Sequence, residues 1–278
     1  MTTPTTATER ATRSTPPDGA PLIHDEPVMG TVVSFDIRPG PLSRAEARLA
    51  LRRACVVLAR ADAVFSLWKP ESPMSRIRRG EIAVGDAPVE VAEVLGRCSE
   101  VKAMTDGWFD PWSMPGGLDP TGLVKGWAAS RALALLVDAG VAGAMVNAGG
   151  DVATAGEPIP GEPWRIGITD PDDRAGLLCV VSSPGGVATS GTYERGAHIV
   201  DPFRRLPRTR LRSATVVGPD LVLADAMATG LAAAGAQGAA FVVAAGYGAV
   251  VVDASGVTRV VGEAKTEVTT AVGARAPF

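Results

Sequence analysis

Side chains able to bind a soft metal ion are scarce in this chain. The 278 residues include two histidines, His24 and His198, and three cysteines, Cys55, Cys98 and Cys179. None of them stands at the spacing of a zinc or iron–sulfur site, and an odd number of scattered cysteines gives no disulfide framework. The counts therefore predict that any bound metal is a hard cation with oxygen ligands.

One pair of oxygen-bearing side chains has a spacing that suits such a cation. Asp225 and Thr229 stand four residues apart in an alanine-rich segment, so on a helix they share one face. Next to phosphate groups the pair could hold Mg²⁺, which takes few protein ligands and keeps water and phosphate oxygens. A structural role explains the spacing too, with Asp225 as an N-cap and the Thr229 hydroxyl bonded back to its own helix. Taken alone, the spacing favours the structural role.

Several glycine-rich segments could bring the backbone close to a ligand. In Thr105–Pro111 and Asp119–Trp127 the glycines permit close approach, and Lys125 adds a positive charge at an expected helix start. That combination suits a phosphate or pyrophosphate, although a glycine-rich connection with a solvated lysine explains it equally well. Asn147–Asp151, at the end of a predicted strand, favours a tight turn.

His198 is the natural acid–base candidate. It follows the glycine-rich segment Gly185–Glu194, whereas His24 stands at the edge of an expected tail. Its ordinary pKa suits proton transfer near neutral pH, although a lone histidine is more often structural. Ser190, His198 and Asp201 could be assembled into a hydrolase triad, but the G-x-S-x-G motif that would support one is missing.

Common nucleotide signatures and nucleic-acid binding are both disfavoured. No G-x-G-x-x-G follows a strand, and Gly117–Gly122 has P-loop spacing but is followed by Leu123 instead of lysine. The formal net charge of -3 argues against nucleic acid as a partner, since phosphate backbones need a clustered basic surface. With 46% hydrophobic and 21% charged residues, the composition is that of a globular protein.

The ends of the chain predict tails around one ordered region. Residues 1–26 are rich in Thr and Pro and contain no apolar run, which predicts a disordered tail, no membrane span and a cytoplasmic protein. We expect one domain over residues 27–264, built as a unit or as two interlocked subdomains, and a C-terminal tail over residues 265–278.

The pattern of strands and helices predicts an α+β fold. A β-branched run over Val28–Ile37 precedes a helix with a capping box at Ser43 and Glu46. A second helix is expected over Val89–Met104 and a third from near Lys125 to Gly140. Further strands are expected over 144–147, 164–168, 178–182 and 214–217, helices over 224–233 and 236–245, and a closing hairpin over 249–261. The strands and helices do not form a strict βα repeat, so mixed or antiparallel sheets packed by helices are predicted.

Eight short motifs, in order, resemble those of the ApbE-type FAD:protein FMN transferases. The similarity extends over about residues 27–262. The motifs are Met29–Thr31, Ser66–Trp68 with Ser75–Arg76, Gly107–Asp110, Lys125–Ala128, Asn147–Asp151, Ala188–Gly191, His198–Pro202 and Ala224–Thr229.

The resemblance implies Mg²⁺-dependent transfer of FMN from FAD to a Thr or Ser hydroxyl of a target protein, with release of AMP. Carried over by position, the side chains of Asp225 and Thr229 and the backbone carbonyl of Val124 would bind Mg²⁺. His198 would activate the acceptor hydroxyl. The residues expected to contact FAD are Met29, Trp68, Trp108, Phe109, Asp110, Lys125, Ser130 and Ile199.

The chain departs from the family pattern at three places. Ser130 replaces an Asp that contacts the flavin nucleotide, Arg78 replaces an Asn, and Arg204–Arg205 replace Thr-Gly. The two arginines could bind phosphate directly, or they could indicate a changed nucleotide preference or lost transfer. Two alternatives therefore stay open: a non-catalytic FAD-binding protein of the same fold, and a Mg²⁺-dependent FAD pyrophosphatase.

Overall fold

The computed structural model describes residues 19–182, 185–191, 199–207, 210–263 and 266–267. The helices are α1 (Arg44–Phe65), α2 (Pro73–Arg78), α3 (Val89–Met104), α4 (Thr121–Asp138), α5 (Leu221–Ala234) and α6 (Ala239–Ala244). The strands are β1 (Leu22–Val28), β2 (Thr31–Arg38), β3 (Gly143–Ala148), β4 (Asp151–Gly156), β5 (Arg165–Thr169), β6 (Leu177–Ser182), β7 (Gly186–Gly191), β8 (Val200–Asp201), β9 (Leu206–Pro207), β10 (Leu211–Gly218), β11 (Gly248–Asp253), β12 (Thr258–Val261) and β13 (Thr266–Glu267).

An antiparallel sheet of eight strands forms the centre of the fold, in the order β1-β2-β3-β4-β7-β10-β11-β12. A second sheet has the order β13-β6-β5, and β8 pairs with β9. The α+β prediction, with antiparallel sheets packed by helices, is therefore confirmed.

Helices α1, α4 and α5 cover one face of the large sheet and form the main core with it. The predicted capping box is present, since the Ser43 side chain accepts from the Glu46 N–H and the Glu46 carboxylate accepts from the Ser43 N–H. Helix α3 has the predicted bounds. Helix α4 begins at Thr121, one turn earlier than predicted, so Lys125 lies inside the helix rather than at its start.

The other face of the large sheet packs against the smaller sheet. On the central strands, alanines face the helical core. Neighbouring valines face the opposite side of the sheet, where they pack against Trp164 and the isoleucines of β5. The residues of this second core are Val152, Trp164, Ile166, Ile168, Cys179, Val181, Val187, Val217 and Val250. The central strands of the large sheet are thus buried on both faces, and they join the two layers of the fold.

The tail predictions are wrong where strands form. β1 begins at Leu22 and pairs along its length with β2, so residues 22–26 belong to the sheet. Alternate residues of β1 face the helical layer, and two of these, His24 and Glu26, are polar, so the strand shows no apolar run. Thr266–Glu267 pair with β6 instead of belonging to a C-terminal tail. Residues 1–18 and 268–278, also assigned to tails, lie outside the described residues.

The apolar segment Leu221–Ala244 is long and hydrophobic enough to cross a membrane, by length and composition. However, 67% of its most apolar window is buried inside the fold. Its helix α5 contacts α4 and the central strands β7 and β10. This segment accordingly serves as a core element of the fold.

Candidate functional site

A cavity of about 600 Å³ lies between the helical layer and the edge of the sheet. It is lined by parts of the chain that are far apart in sequence, from the β1–β2 turn to helix α5. Ten of the predicted site residues lie in its wall, namely Met29, Trp68, Trp108, Phe109, Asp110, Val124, Lys125, Ile199, Asp225 and Thr229. A volume of this size is typical of small-molecule and cofactor sites.

The floor of the cavity is formed where helices α4 and α5 cross. The buried Asp225 carboxylate accepts a hydrogen bond of 2.9 Å from the backbone N–H of Gly126. One turn later on α5, the Thr229 hydroxyl lies 3.2 Å from the Ser190 hydroxyl of β7. A Cβ at position 126 would come within 2.9 Å of the Asp225 Cβ, so this close crossing requires glycine.

These residues fit a hard divalent cation. Asp225 and Thr229 present oxygen atoms on one face of α5, and Val124 lines the cavity from α4. A carboxylate has about four acceptor positions, so it can bind a cation while it accepts from the Gly126 N–H. Carboxylate, hydroxyl and carbonyl oxygens are the ligands that Mg²⁺ accepts.

Lys125 is held by Asp151, a residue that its sequence context predicts to belong to a turn. Its ammonium group forms an ion pair with the carboxylate of Asp151, whose side chain is only 1% exposed. The other Asp151 oxygen accepts from the backbone N–H of Thr189 at 3.1 Å. Lys125 is therefore a paired and positioned charge, which corrects the expectation of a lysine at a helix start.

The Asn147–Asp151 segment does form a tight turn, as its residue types predicted. Gly149 and Gly150 have positive φ, and the Asn147 side chain accepts from the Gly150 N–H at 2.8 Å. The turn also places Asp151 beside Lys125 at the cavity wall. This second role was missed, although the acidic residue directly after the two glycines was a usable signal.

Aromatic residues form one wall of the cavity. Trp108 packs edge-on against Phe203, with ring centroids 4.8 Å apart, and the Arg210 guanidinium lies 5.3 Å from the Trp108 ring centroid. Phe109 is buried beside Gly122 and Gly230, where a Cβ would reach its ring or backbone. This wall offers a flat apolar surface to a planar ligand.

Trp68 and Phe203 differ from the buried wall because they are exposed. Trp68 lies at the rim of the cavity with 96% of its surface accessible, and Phe203 is 65% exposed. The exposed Trp68 ring therefore adds apolar surface at the rim of the cavity.

Asp110 lines the cavity, but its carboxylate is already engaged by neighbouring groups. It pairs with Lys102 at 2.8 Å and accepts from the Ser113 hydroxyl and the Trp112 backbone N–H. Burial alone would raise the pKa of Asp110, but these partners outweigh it and hold the pKa below its ordinary value. The charged carboxylate thus anchors the turn that follows the aromatic wall.

Met29 reaches the cavity from a strained turn. It has φ of 54° and Gly30 has φ of 69°, in the two-residue loop that joins β1 to β2. Positive φ at both loop residues is typical of a type I′ hairpin turn, which a methionine adopts at a cost. The hairpin therefore fixes a flexible apolar side chain at the edge of the site.

Two predicted site residues are not placed in the cavity. Ser130 lies on α4, one turn beyond the helix crossing, and is not part of the cavity wall. His198 lies outside the described residues. Ile199, the next residue in the chain, is buried and lines the cavity.

The other departures from the family pattern have different environments. The Arg78 guanidinium lines the cavity and donates to the carbonyls of Pro115 and Gly116, which it holds in place. Arg204 and Arg205 follow β8 in an exposed turn and are not part of the cavity wall. Pro202, two residues before Arg204 in the chain, does line the cavity.

Comparison with known proteins gives a consistent assignment. The ApbE family profile matches residues 29–116 and 113–251. A FAD:protein FMN transferase of Rhodobacter capsulatus is 36% identical over 126 residues, which is 42% of this chain and 24% of that protein. The enzyme of the same name from Salmonella typhimurium is 34% identical over 118 residues, which is 38% of this chain and 34% of that protein. The aligned regions thus span about a third or less of these relatives.

Solved structures share the fold over most of their length. The flavin transferase ApbE from Vibrio cholerae superposes with a TM-score of 0.74 at 20% identity, covering 87% of this chain and 97% of that one. The apo form of the flavinyl transferase ApbE from Pseudomonas stutzeri gives 0.72 at 21% identity, covering 87% and 94%. Since the family profile accounts for well over half of the sequence, this chain belongs to the ApbE family.

Proposed function

We propose that this protein transfers FMN from FAD to a Ser or Thr hydroxyl of a target protein, in a Mg²⁺-dependent reaction that releases AMP. The observation that carries the proposal is the juxtaposition of Asp225 and Thr229 with an aromatic-walled cavity of about 600 Å³. Relatives in the same family bear the name FAD:protein FMN transferase.

The reaction is a displacement at phosphorus. The acceptor oxygen forms a bond to the phosphorus on the FMN side of the pyrophosphate, and the bond from that phosphorus to the bridging oxygen breaks. AMP leaves with the bridging oxygen and its electron pair, and the acceptor hydroxyl gives up its proton. A divalent cation, when bound, neutralises charge on the pyrophosphate and on the departing AMP.

The residues of the helix crossing would hold that cation. Asp225 supplies a carboxylate that the Gly126 N–H already orients, Thr229 supplies a hydroxyl, and the Val124 carbonyl is the remaining protein oxygen that we assign. The Ser190 hydroxyl at 3.2 Å fixes the position of the Thr229 side chain. Preorganised ligands of this kind need little rearrangement when charge develops.

Lys125 is positioned to act on the phosphates. Its pairing with buried Asp151 fixes the ammonium group at the cavity wall, and an ammonium has three donors, so it can still donate to a phosphate oxygen. The wall of Trp108 and Phe109 suits the flat isoalloxazine ring by apolar contact. We assign proton removal from the acceptor hydroxyl to His198, on the family resemblance of the motif His198–Pro202.

Three outcomes separate this function from the two alternatives. Purified protein is incubated with FAD, Mg²⁺ and a flavin-acceptor domain, and the products are run on a denaturing gel and by chromatography. A fluorescent acceptor band with release of AMP supports transfer. AMP and free FMN without that band would identify a pyrophosphatase, and intact FAD would identify a binding protein.

A further inference from the structure

A second group of metal-binding side chains lies outside the cavity wall. The Nε2 of His24, a carboxylate oxygen of Glu26 and the Sγ of Cys55 all lie within 4.8 Å of one another. His24 and Glu26 are on β1, and Cys55 is on α1. None of the three takes part in the cavity described above.

The fold dictates this meeting of side chains. His24 and Glu26 are two residues apart on a strand, so they point to the same face. Their partners across the β1–β2 ladder are Phe35 and Val33, which are buried beneath the helical layer. Cys55 comes from the helix that packs on this face, which brings the thiol to the pair on the strand.

The contacts among the three groups already approach a ligand arrangement. His24 Nε2 lies 3.0 Å from a Glu26 carboxylate oxygen, and the Cys55 Sγ lies within 4.8 Å of ligand atoms of both side chains. Ligand atoms around a tetrahedral Zn²⁺ are separated by about 3.3–3.8 Å, given zinc–nitrogen and zinc–sulfur bonds of about 2.0–2.3 Å. Small side-chain rotations are therefore enough to reach that geometry.

We propose that His24, Glu26 and Cys55 form a binding site for Zn²⁺, which joins the edge strand β1 to helix α1. Nitrogen, oxygen and sulfur donors together select zinc over the magnesium expected at Asp225. His24 and Glu26 keep 38% and 34% of their side-chain surface exposed, so solvent completes a fourth position. The proposal differs from the expectation of hard cations alone, because residues 31 positions apart in sequence converge in the fold.

The Cys55 thiol must lose its proton when Zn²⁺ binds. Burial and the nearby Glu26 carboxylate raise the pKa of the Cys55 thiol to about 11, so the thiol keeps its proton when no cation is bound. Zn²⁺ binds the thiolate, so the sulfur–zinc bond forms as the thiol proton passes to the buffer.

Equilibrium dialysis of the full-length protein against Zn²⁺ tests the site. Excess Mg²⁺ is present to occupy hard-cation sites, and bound zinc is measured by atomic spectrometry. We expect a single Zn²⁺ per chain, with affinity reduced at least about 10-fold in His24→Gln, Glu26→Gln and Cys55→Ser. Asp25→Asn is the matched control, since it removes one carboxylate from the opposite, exposed face of the same strand. Its affinity is expected to equal that of the wild type.

Co²⁺ serves as a spectroscopic probe of the wild-type protein. We expect a thiolate-to-metal charge-transfer band that Zn²⁺ displaces, and protection of Cys55 from alkylation in peptide mapping. Cys98 and Cys179 are buried, so Cys55 is the accessible thiol among the three cysteines. An absent band, zinc affinity unchanged in Cys55→Ser, or zinc binding lost in Asp225→Ala but retained in Cys55→Ser would each overturn the proposal. The wild-type spectrum decides the matter even if a ligand variant fails to fold.

Discussion

The backbone N–H of Gly126 donates to the Asp225 carboxylate at 2.9 Å, across the crossing of α4 and α5. This bond links the Lys-Gly-Trp-Ala motif of one helix to the Ala-Asp-Ala-Met-Ala-Thr motif of the other. It orients a buried carboxylate toward the cavity and depends on the missing side chain at position 126. Two motifs that are about 100 residues apart in sequence are therefore one structural unit.

Gly126→Ala is expected to disrupt this crossing. The added Cβ would lie 2.9 Å from both the Asp225 Cβ and the Leu221 carbonyl oxygen, so the helices must move apart. We expect a loss of about 1–3 kcal/mol in unfolding free energy and weaker FAD binding. Urea unfolding and FAD titration measure the two effects.

Gly96→Ala is the matched control for that variant. Gly96 lies on α3 with nothing within 4 Å of a Cβ, so alanine is expected to stabilise the protein by about 0.5–1 kcal/mol. If Gly126→Ala and Gly96→Ala changed the unfolding free energy equally, helices α4 and α5 would not be in close contact at Gly126.

The pairing of Lys125 with Asp151 predicts asymmetric stability effects. Lys125→Met leaves a carboxylate with 1% exposure without its cation and is expected to cost roughly 3 kcal/mol. Asp151→Asn keeps an acceptor for the Thr189 N–H and leaves the partly exposed lysine able to reach water, so its cost is smaller. The double variant should cost less than the sum of the two. Additive costs in denaturant unfolding would contradict a coupled pair.

Asp110 predicts a pH dependence of stability. Its lowered folded-state pKa means that its stabilising contribution is fully present above the ordinary value of 3.8 and is lost as pH falls through the lowered pKa. We therefore expect the difference in unfolding free energy between wild type and Asp110→Asn to stay constant above about pH 5 and to narrow as the pH falls below about 4. Asp86→Asn, at an exposed position outside the cavity wall, controls for the removal of one surface carboxylate. If the difference in unfolding free energy between wild type and Asp110→Asn did not change with pH, the partners assigned to the Asp110 carboxylate would be wrong.

Met29→Gly separates strain from binding. Glycine adopts the positive φ of this turn freely, so we expect unchanged or slightly higher stability, by up to about 1 kcal/mol. The loss of a side chain from the cavity wall should at the same time weaken FAD binding. Thermal unfolding measures the stability and fluorescence titration measures the FAD affinity. Lower stability with unchanged FAD affinity would contradict this prediction.

Local signals in the sequence predicted some elements well. The capping box at Ser43 and the bounds of Val89–Met104 depend on neighbouring residues only, and both agree with the structure. Ten of the twelve residues predicted for the site from the motifs line the cavity. Strand β7 was missed because Gly186–Gly191 consists of small residues, and its pairing between β4 and β10 decides its conformation.

Long-range pairing explains the other differences. Residues 22–26 look like part of a polar tail, but the partner strand β2 makes them an edge strand. Asp151 looked like a turn residue until the fold placed it against Lys125. His24 and Cys55 carry no zinc-site spacing, because their meeting depends on the packing of α1 on β1. Such contacts between distant segments leave no pattern in a single sequence.

Covalent transfer of flavin is the central claim, and intact mass spectrometry of the acceptor tests it most directly. With FAD and Mg²⁺, we expect the wild-type protein to add one FMN moiety to the acceptor, and to add none when the acceptor's target Ser or Thr is replaced by Ala. Asp225→Asn should transfer at least about 10-fold more slowly, with Asp86→Asn at the wild-type rate. An acceptor of unchanged mass while FAD is cleaved, or full transfer by Asp225→Asn, would contradict the account.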